Sequence, residues 1–229
     1  MNKVIENISK KIKNFSYSLN IIVESPGIGV GKTTLCKWLT TILPASLAEE
    51  DVDDRVLESL YTELANGTKN SKKLFLAEVY FFFSRIIQSV LFDFDKSLIN
   101  IYDRGLSSSL AFSSNLHSKG VISWKDFKYL LNLFYKLDRL NFFIPSNTVV
   151  FYLKVAPEIQ LCRIKERGRP SETGITIEYL NSIEKAYKGY VWDYYKEKGV
   201  KVITIDWTTF DRKKFLSELG GFLDGLAGN

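Results

Sequence analysis

One segment near the N-terminus passes from an apolar run through a glycine-rich stretch into a helical pattern. It reads IIVESPGIGVGKTT and ends in Gly31-Lys32-Thr33-Thr34. The pattern predicts a strand, a phosphate-binding loop and a helix in succession, because the free N–H groups of a helix N-terminus bind phosphate oxygens. Lys32 is then expected to reach the β- and γ-phosphates, and the Thr33 hydroxyl to bind Mg²⁺. Such a chain is expected to bind a nucleoside triphosphate such as ATP.

The glycine spacing of this segment departs from the usual GxxxxGK[ST] pattern. Counting back from Gly31, the first glycine of that pattern falls on Pro26, and Gly27 follows one position later. Proline presets φ and glycine permits positive φ, so Pro26-Gly27 is suited to begin a tight turn. We therefore interpret the segment as a loop of altered register, in which Gly27, Gly29, Gly31 and Thr34 contact phosphate. A glycine-rich turn without a ligand is the alternative.

Size and composition predict one soluble, cytoplasmic domain. The 229 residues contain no Pro/Ser-rich linker, and 45% of them are hydrophobic, which is enough for a full core. No apolar run approaches the roughly 18 residues of a membrane-spanning helix. The net charge of +5 is dispersed among acidic residues, which favours a phosphate ligand over a nucleic-acid surface. Cys36 and Cys162 lack metal-ligand spacing, as is typical of a reduced cytosolic protein.

Apolar strands and helical patterns alternate along the chain. The predicted strands lie at 19–24, 45–48, 98–102, 147–154 and 200–205, and the predicted helices at 32–43, 54–64, 71–92, 106–116, 124–141, 157–167, 177–196 and 211–226. A basic N-terminal helix is predicted within 1–20, with one apolar face formed by Val4, Ile5, Ile8, Ile12 and Phe15. This alternation predicts an α/β three-layer fold with about five parallel strands flanked by helices, in which ligands bind beyond the carboxyl ends of the strands.

Two charged residues come directly after the predicted strand 98–102. Asp103 and Arg104 are therefore expected at the carboxyl edge of the sheet, beside the phosphate-binding loop. Asp103 is suited to hold Mg²⁺, directly or through water, and Arg104 to contact a phosphoryl oxygen or the acceptor. An ordinary ion pair at the end of a strand is the alternative.

Three arginines lie at the end of the predicted helix 157–167 and in the loop that follows it. Arg163 and Arg167 share a helical face, where like charges are unfavourable unless an anion lies between them. Arg169 comes two residues later. A bound triphosphate supplies such an anion, and a well-placed arginine accelerates phosphoryl transfer by about 10³–10⁵. The alternative is a solvated basic face.

An acidic cluster, EEDVDD at 49–54, follows the short second strand. Acidic clusters are usually solvated helix starts, and Asp53 or Asp54 is suited to cap the next helix. Glu50 has a second possible role, because a carboxylate near the γ-phosphate can take the proton of a neutral hydroxyl acceptor as general base.

These motifs together resemble the deoxycytidine and deoxyguanosine kinases, a deoxynucleoside kinase family within the thymidylate kinase-like P-loop group. The most specific motif is RIxxRGRxxExGIxxEYL at 163–180, which is similar to the lid of that family and the helix after it. VLESLY at 56–61 and ExxxxxxRI at 78–86 are similar to its sugar- and base-binding helices, and Asp103-Arg104-Gly105 stands where the family has Glu-Arg-Ser. The resemblance spans about 19–210. It implies a single P-loop kinase domain over 1–229, an arginine-rich lid around 163–174 and a homodimer.

The resemblance also implies roles for individual residues. Glu50 is implied to be the general base, Arg104 to lie near the 5′-hydroxyl, and Tyr61 and Glu172 to bind the deoxyribose 3′-hydroxyl. The donor's phosphates are implied to be clamped by the three arginines Arg163, Arg167 and Arg169.

The base-binding part departs from the family pattern. The resemblance implies that Glu78 and Arg85 contact the base, yet Glu78 stands where glutamine is usual and Ser109 falls near a family aspartate. Asp51 replaces a proline, and 65–73 is an insertion. Because a carboxylate offers only acceptors, Glu78 is expected to favour amino-bearing bases over thymine, with deoxyguanosine first.

Two other functions compete with a deoxynucleoside kinase. Residues 106–112 also resemble a thymidylate kinase, but an anionic monophosphate would meet the acidic cluster at a cost of roughly 4 kcal/mol for each charge pair at ~4 Å and an effective dielectric of ~20. A catalytically silent nucleotide-binding module is expected to lack Lys32, Asp103 or the lid arginines, and all of them are present. The sequence therefore predicts a salvage kinase that transfers the γ-phosphate of ATP, or of another nucleoside triphosphate, to the 5′-hydroxyl of a deoxynucleoside.

Overall fold

Five parallel strands form the centre of the fold: β1 (Leu19–Glu24), β2 (Ala45–Ala48), β3 (Ile99–Asp103), β4 (Thr148–Lys154) and β5 (Lys201–Asp206). They lie in the order β2-β3-β1-β4-β5. The computed structural model describes residues 2–13, 18–50, 53–65, 71–92, 97–139, 144 and 147–227. The predicted α/β fold with about five parallel strands is confirmed.

Helices cover both faces of this sheet. The α-helices are α1 (Asn2–Lys13), α2 (Lys32–Ile42), α3 (Asp54–Ala65), α4 (Ser71–Phe92), α5 (Ser107–Ser118), α6 (Trp124–Asp138), α7 (Pro157–Arg167), α8 (Ile177–Tyr187), α9 (Asp193–Glu197) and α10 (Arg212–Ala227). A 3₁₀ turn spans Pro170–Glu172, and a π turn, Lys188–Trp192, joins α8 to α9.

Successive residues of the central strands pack into two different cores, because side chains alternate between the faces of a sheet. Ile21 and Val23 of β1 join one core with side chains of α1, α2 and α10. Ile22 joins the other, with side chains of α4, α5, α6 and α8. Burial on both faces explains why β1 and β4 are nearly continuous apolar runs rather than alternating ones.

The N-terminal helix is present, and its apolar face is narrower than the sequence predicts. Ile8 and Ile12 are buried in the core, and Lys11 Nζ lies 2.5 Å from Asp224 Oδ1 on α10. Val4, by contrast, is 43% exposed. Three features named in the sequence fall outside the described residues: Phe15, Asp51 and residues 66–70 of the insertion.

The predicted helix 177–196 differs most from the structure, because it contains the π turn. A π turn takes up an extra residue in one turn of helix and is frequent at functional sites. Here it separates Tyr187 from Tyr195, which both reach the carboxyl edge of the sheet: the Tyr187 hydroxyl contacts the Arg104 guanidinium, and the Tyr195 hydroxyl lies 3.4 Å from Glu24 Oε1. Smaller differences are that β3 ends at Asp103 and α6 at Asp138.

Among the described helices, none is both long and apolar enough to cross a membrane. The 22-residue helix α4 has the length but carries Lys72, Lys73, Glu78 and Arg85.

Candidate active site

The glycine-rich loop connects β1 to α2 and has the shape that its sequence predicts. Gly31 is the N-cap of α2, with φ of 95°, a left-handed conformation that glycine adopts without strain. At Gly27 a side chain would collide with the amide of Gln160 on α7, because a Cβ there would lie 1.7 Å from Gln160 Oε1. The altered register therefore still yields a loop that opens onto a helix N-terminus.

Lys32, Thr33 and Asp103 meet at the start of α2. Thr33 Oγ1 donates a hydrogen bond to Asp103 Oδ2 at 2.5 Å. Asp103 Oδ1 lies 3.9 Å from Lys32 Nζ, and it is buried and accepts no hydrogen bond from the described residues. A hydroxyl beside a carboxylate with a spare oxygen is a ligand set that suits Mg²⁺, which usually takes one or two carboxylates together with substrate phosphates and water.

Arg104 connects the loop to the rest of the site. Its backbone is left-handed, with φ of 79°, and its guanidinium is buried. Nη1 donates to the Ser25 carbonyl at 3.0 Å and Nη2 to the Gly27 carbonyl at 3.2 Å, while Nε donates to Glu50 Oε2 at 3.1 Å. The Tyr187 hydroxyl is a further partner. One side chain thus fixes both the phosphate-binding loop and the predicted base.

Glu50 lies between two arginines. Arg85 Nη2 donates to Glu50 Oε1 at 2.5 Å, opposite the bond from Arg104. Burial alone would raise the pKa of Glu50, but the guanidinium groups of Arg104 and Arg85 outweigh it and lower this pKa to about 2. Glu50 is therefore ionised and oriented at neutral pH. Its neighbour Glu49 is 48% exposed and pairs with Lys37, at 2.5 Å.

A cavity of about 330 Å³ extends from the glycine-rich loop to α4, α5 and α8. Most of the sequence-predicted site residues line it: Gly29, Gly31, Lys32, Thr33, Thr34, Glu50, Tyr61, Glu78, Arg85, Arg104, Arg167, Arg169 and Glu172. The apolar part of the wall includes Leu57, Phe81 and Phe112. The cavity thus joins a phosphate-binding end to an aromatic end.

At the aromatic end, Glu78 and Arg85 have separate polar partners. Ser113 Oγ donates to Glu78 Oε2 at 2.7 Å, and Arg85 Nη1 donates to Ser109 Oγ at 2.6 Å. Burial raises the pKa of Glu78 to about 7, against smaller opposing effects of Ser113 and Arg85. Ser109, which falls near a family aspartate, thus contacts Arg85.

Near the lid, Glu172 is almost fully buried and holds the lid arginines. Arg167 Nη2 lies 2.6 Å from Glu172 Oε2, and Arg169 Nη1 lies 3.8 Å from Glu172 Oε1. The Tyr61 ring packs edge-on against Tyr179, with centroids 6.2 Å apart. Tyr61 and Glu172 both border the cavity.

Arg163 does not join Arg167 and Arg169 in the cavity. Its Nη1 donates to the Val30 carbonyl at 3.1 Å and its Nη2 to the Thr208 carbonyl at 2.6 Å. The guanidinium also lies over the Phe210 ring, 4.0 Å from its centroid. The expected pair of arginines around one anion is thus not formed, because backbone carbonyls and a ring already satisfy Arg163.

Two residues of the site were not predicted from the sequence. Glu24, the last residue of β1, is buried; its Oε1 accepts from the Gly105 N–H at 2.8 Å, and burial raises its pKa to about 7. Phe112 lies 5.3 Å from the Arg104 guanidinium. The position of Glu24 at a strand's carboxyl end was an available signal, whereas nothing in the sequence pointed to Phe112 as a wall of the cavity.

Comparison with known proteins identifies the family. A family model described as deoxynucleoside kinase matches residues 21–218. The chain belongs to the deoxynucleoside kinase family. It is 30% identical over 205 residues to a deoxyguanosine kinase of Dictyostelium discoideum, covering 89% of this chain and 68% of that protein. It is 28% identical over 194 residues to a deoxyadenosine kinase of the same organism, covering 84% and 74% of the two chains.

The fold comparison agrees with this assignment. A deoxyadenosine kinase from M. mycoides with bound dATP superposes with a TM-score of 0.72 at 21% identity, over 90% of this chain and all of that chain. The predicted deoxynucleoside kinase activity, with a nucleotide as phosphate donor, is confirmed by membership of the family. The thymidylate kinase and the silent nucleotide-binding module are therefore set aside.

The position of Glu50 gives the first testable prediction. Glu50→Gln keeps the shape of the side chain but removes the proton acceptor, so we expect kcat to fall by about 10²–10⁴ with little change in nucleoside affinity. Glu49→Gln is the matched control, because the Glu49 side chain is 48% exposed and pairs with Lys37. Steady-state kinetics and nucleoside binding by calorimetry measure both effects. Equal losses in the two variants would contradict the assignment of Glu50.

Proposed function

We propose that this kinase transfers the γ-phosphate of ATP to the 5′-hydroxyl of a purine deoxynucleoside, with Mg²⁺, as a salvage enzyme of the cytoplasm. The observation that carries the proposal is the place of Glu50 between Arg85 and Arg104. This carboxylate stands where the phosphate-binding end of the cavity meets the aromatic end. A neutral hydroxyl acceptor requires a base there, whereas a monophosphate acceptor, which is already ionised, does not.

The chain's own residues divide the reaction between them. Glu50 accepts the proton of the 5′-hydroxyl, and Arg104 keeps Glu50 and the loop in place near that oxygen. Lys32, Arg167 and Arg169 neutralise charge on the phosphates, which is the main catalytic contribution in phosphoryl transfer. Because Arg163 holds the Val30 carbonyl of the loop, we assign it to the donor site as a positioning residue.

Mg²⁺ would be held by Asp103 and Thr33. When bound, it would supply positive charge that neutralises the charge developing on the donor's phosphates. The spare oxygen of Asp103 and the adjoining Thr33 hydroxyl support this assignment.

The nucleoside would occupy the aromatic end of the cavity. Tyr61 and Glu172 are assigned to the 3′-hydroxyl, because both border the cavity at the lid. Glu78 and Arg85 are assigned to the base, and the rings of Phe81 and Phe112 line the same cavity. The deoxyguanosine and deoxyadenosine kinases among the relatives favour a purine. The domain is proposed to be single, over 1–229, with the lid around 163–174.

A panel of deoxynucleosides and deoxynucleoside monophosphates, tested with ATP and Mg²⁺, examines this proposal. We expect the purine deoxynucleosides to be the best acceptors and the monophosphates to be inactive. Lys32→Ala should abolish transfer with the fold intact, because Lys32 serves phosphate charge. Lys37→Ala, on the same helix but 57% exposed, should retain activity. A preference for monophosphates, or normal turnover of Lys32→Ala, would contradict the proposal.

A homodimer is the second part of the proposal. Four side chains form an exposed apolar stripe on α4, at positions separated by seven, four and three residues: Leu76 (55% exposed), Phe83 (42%), Ile87 (56%) and Val90 (40%). This spacing places them on one helical face. Glu78 and Arg85 lie on the opposite face, toward the cavity. Contiguous exposed apolar surface of this kind marks a protein interface.

The stripe gives a prediction about assembly. We expect the protein to sediment as a dimer, and Ile87→Lys to sediment as a monomer because a charge would be buried at the interface. Val4→Lys, at an exposed apolar residue of α1, should remain dimeric. A monomeric unmodified protein, or a dimeric Ile87→Lys, would exclude this interface.

A further inference from the structure

Glu78 is a buried acid that has no cation of its own. Its relative exposure is 3%, and in the part of the chain that the structure describes it forms no salt bridge. The nearest cation, Arg85 on the same helix, directs Nη1 to Ser109 and Nη2 to Glu50. A carboxylate that is removed from water without an ion pair is costly, so its neutral form becomes accessible.

The Ser113 hydroxyl is suited to either form of Glu78. It has a single proton but two acceptors within reach, Glu78 Oε2 at 2.7 Å and the Ser109 carbonyl at 2.9 Å. When Glu78 is ionised, Ser113 donates to it. When Glu78 is neutral with its proton on Oε1, Ser113 can still donate to Oε2 or to the Ser109 carbonyl, so the carboxyl proton stays available for a base. Neither state leaves the hydroxyl without a partner.

The ionised and neutral forms of Glu78 differ in the hydrogen-bonding edges of the bases that they match. An ionised carboxylate has only acceptors and pairs with the N1–H and amino group of guanine. A neutral carboxyl group has one donor and one acceptor, so it pairs with N1 and the amino group of adenine, and also with O6 and N1–H of guanine. Cytosine presents the same order of acceptor and amino group as adenine. Sites whose polar groups remain unpaired with the wrong ligand discriminate strongly.

We propose that Glu78, supported by Ser113, lets one site accept both purines, with the ionised form selecting deoxyguanosine and the neutral form also admitting deoxyadenosine. This inference rests on the proposed function, because it assigns Glu78 to the base of the acceptor.

The surroundings of Glu78 support a change of form near neutral pH. Burial raises its pKa to about 7, and the hydrogen bond from Ser113 and the charge of Arg85 oppose that rise. From α8, Tyr179 acts on Glu78 as a neutral phenol, since burial raises the Tyr179 pKa far above this range. Ser113 is the contact from α5, and Tyr61 and Asp54 of α3 line the same cavity.

The test compares kcat/KM for deoxyguanosine and deoxyadenosine as a ratio over a pH series. Effects on Glu50, on the lid and on ATP are shared by the two substrates and cancel in the ratio. Each pH unit changes the ratio of ionised to neutral carboxyl tenfold, so we expect deoxyguanosine to gain over deoxyadenosine by about tenfold or more between about pH 6 and about pH 8. Deoxycytidine should follow deoxyadenosine.

Three variants make the test specific. Glu78→Gln carries a donor and an acceptor that do not titrate and that fit both purines, so its ratio should be constant with pH. Glu197→Gln, the same change on the surface of α9, should keep the slope of the unmodified enzyme. Ser113→Ala removes the donor that stabilises the ionised form, so the pH at which the ratio begins to rise should move upward. This variant provides a second measurement if Glu78→Gln folds poorly.

The outcomes separate this inference from the proposed function. Three results would overturn the role of Glu78 and Ser113. They are a ratio that is constant with pH in the unmodified enzyme, a ratio that still rises with pH in Glu78→Gln, and a rise that begins at the same pH in Ser113→Ala as in the unmodified enzyme. Activity on monophosphates alone would instead overturn the proposed function.

Discussion

The buried guanidinium of Arg104 is the interaction on which the rest of the site depends. Its left-handed backbone costs on the order of 1–3 kcal/mol for a residue other than glycine. Charge-assisted hydrogen bonds to Glu50 and to the Ser25 and Gly27 carbonyls, at roughly 1.5–3 kcal/mol each, offset that strain. A single planar group thereby fixes the backbone of the glycine-rich loop, Glu50 and the Tyr187 end of α8 relative to one another.

The cavity also holds two glutamates in opposite electrostatic surroundings. Glu50 is flanked by two arginines, which lower its pKa to about 2. Among the described residues, the hydrogen bond to the Glu78 side chain comes from the Ser113 hydroxyl, and burial raises the pKa of Glu78 to about 7. Arg85 causes this contrast, because its Nη atoms donate to Glu50 and Ser109 rather than to Glu78. Environments that push two like groups apart in pKa allow the same residue type to serve two roles. Under the proposed function, these roles are a carboxylate that is ionised before the reaction and takes up the proton of the 5′-hydroxyl, and an adaptable contact to the base.

The sequence was sufficient for features that depend on local pattern. The five strands, the loop with Lys32 at its end and the placement of Asp103 at a strand's carboxyl edge follow from apolar periodicity and from the geometry of parallel sheets. Features set by contacts between distant segments were not predictable in this way. Arg163 was expected beside Arg167, but the carbonyls that bind it come from Val30 and from the segment after β5. The π turn likewise depends on tertiary packing rather than on a local signal.

Helix α7 is fastened to the phosphate-binding loop along its length. The Gln160 amide fills the space beside Gly27, Ile164 packs against Gly29, and Arg163 binds the carbonyl of Val30. The lid arginines therefore begin from a helix that is already part of the loop's supporting wall. The loop and the lid can consequently be exchanged between relatives only together. A chimaera with the lid of a relative and the loop of this chain would bring together surfaces that do not match. For the same reason, the substitutions that α7 can accept are limited by the shape of the loop backbone, which lies more than a hundred residues away in the sequence.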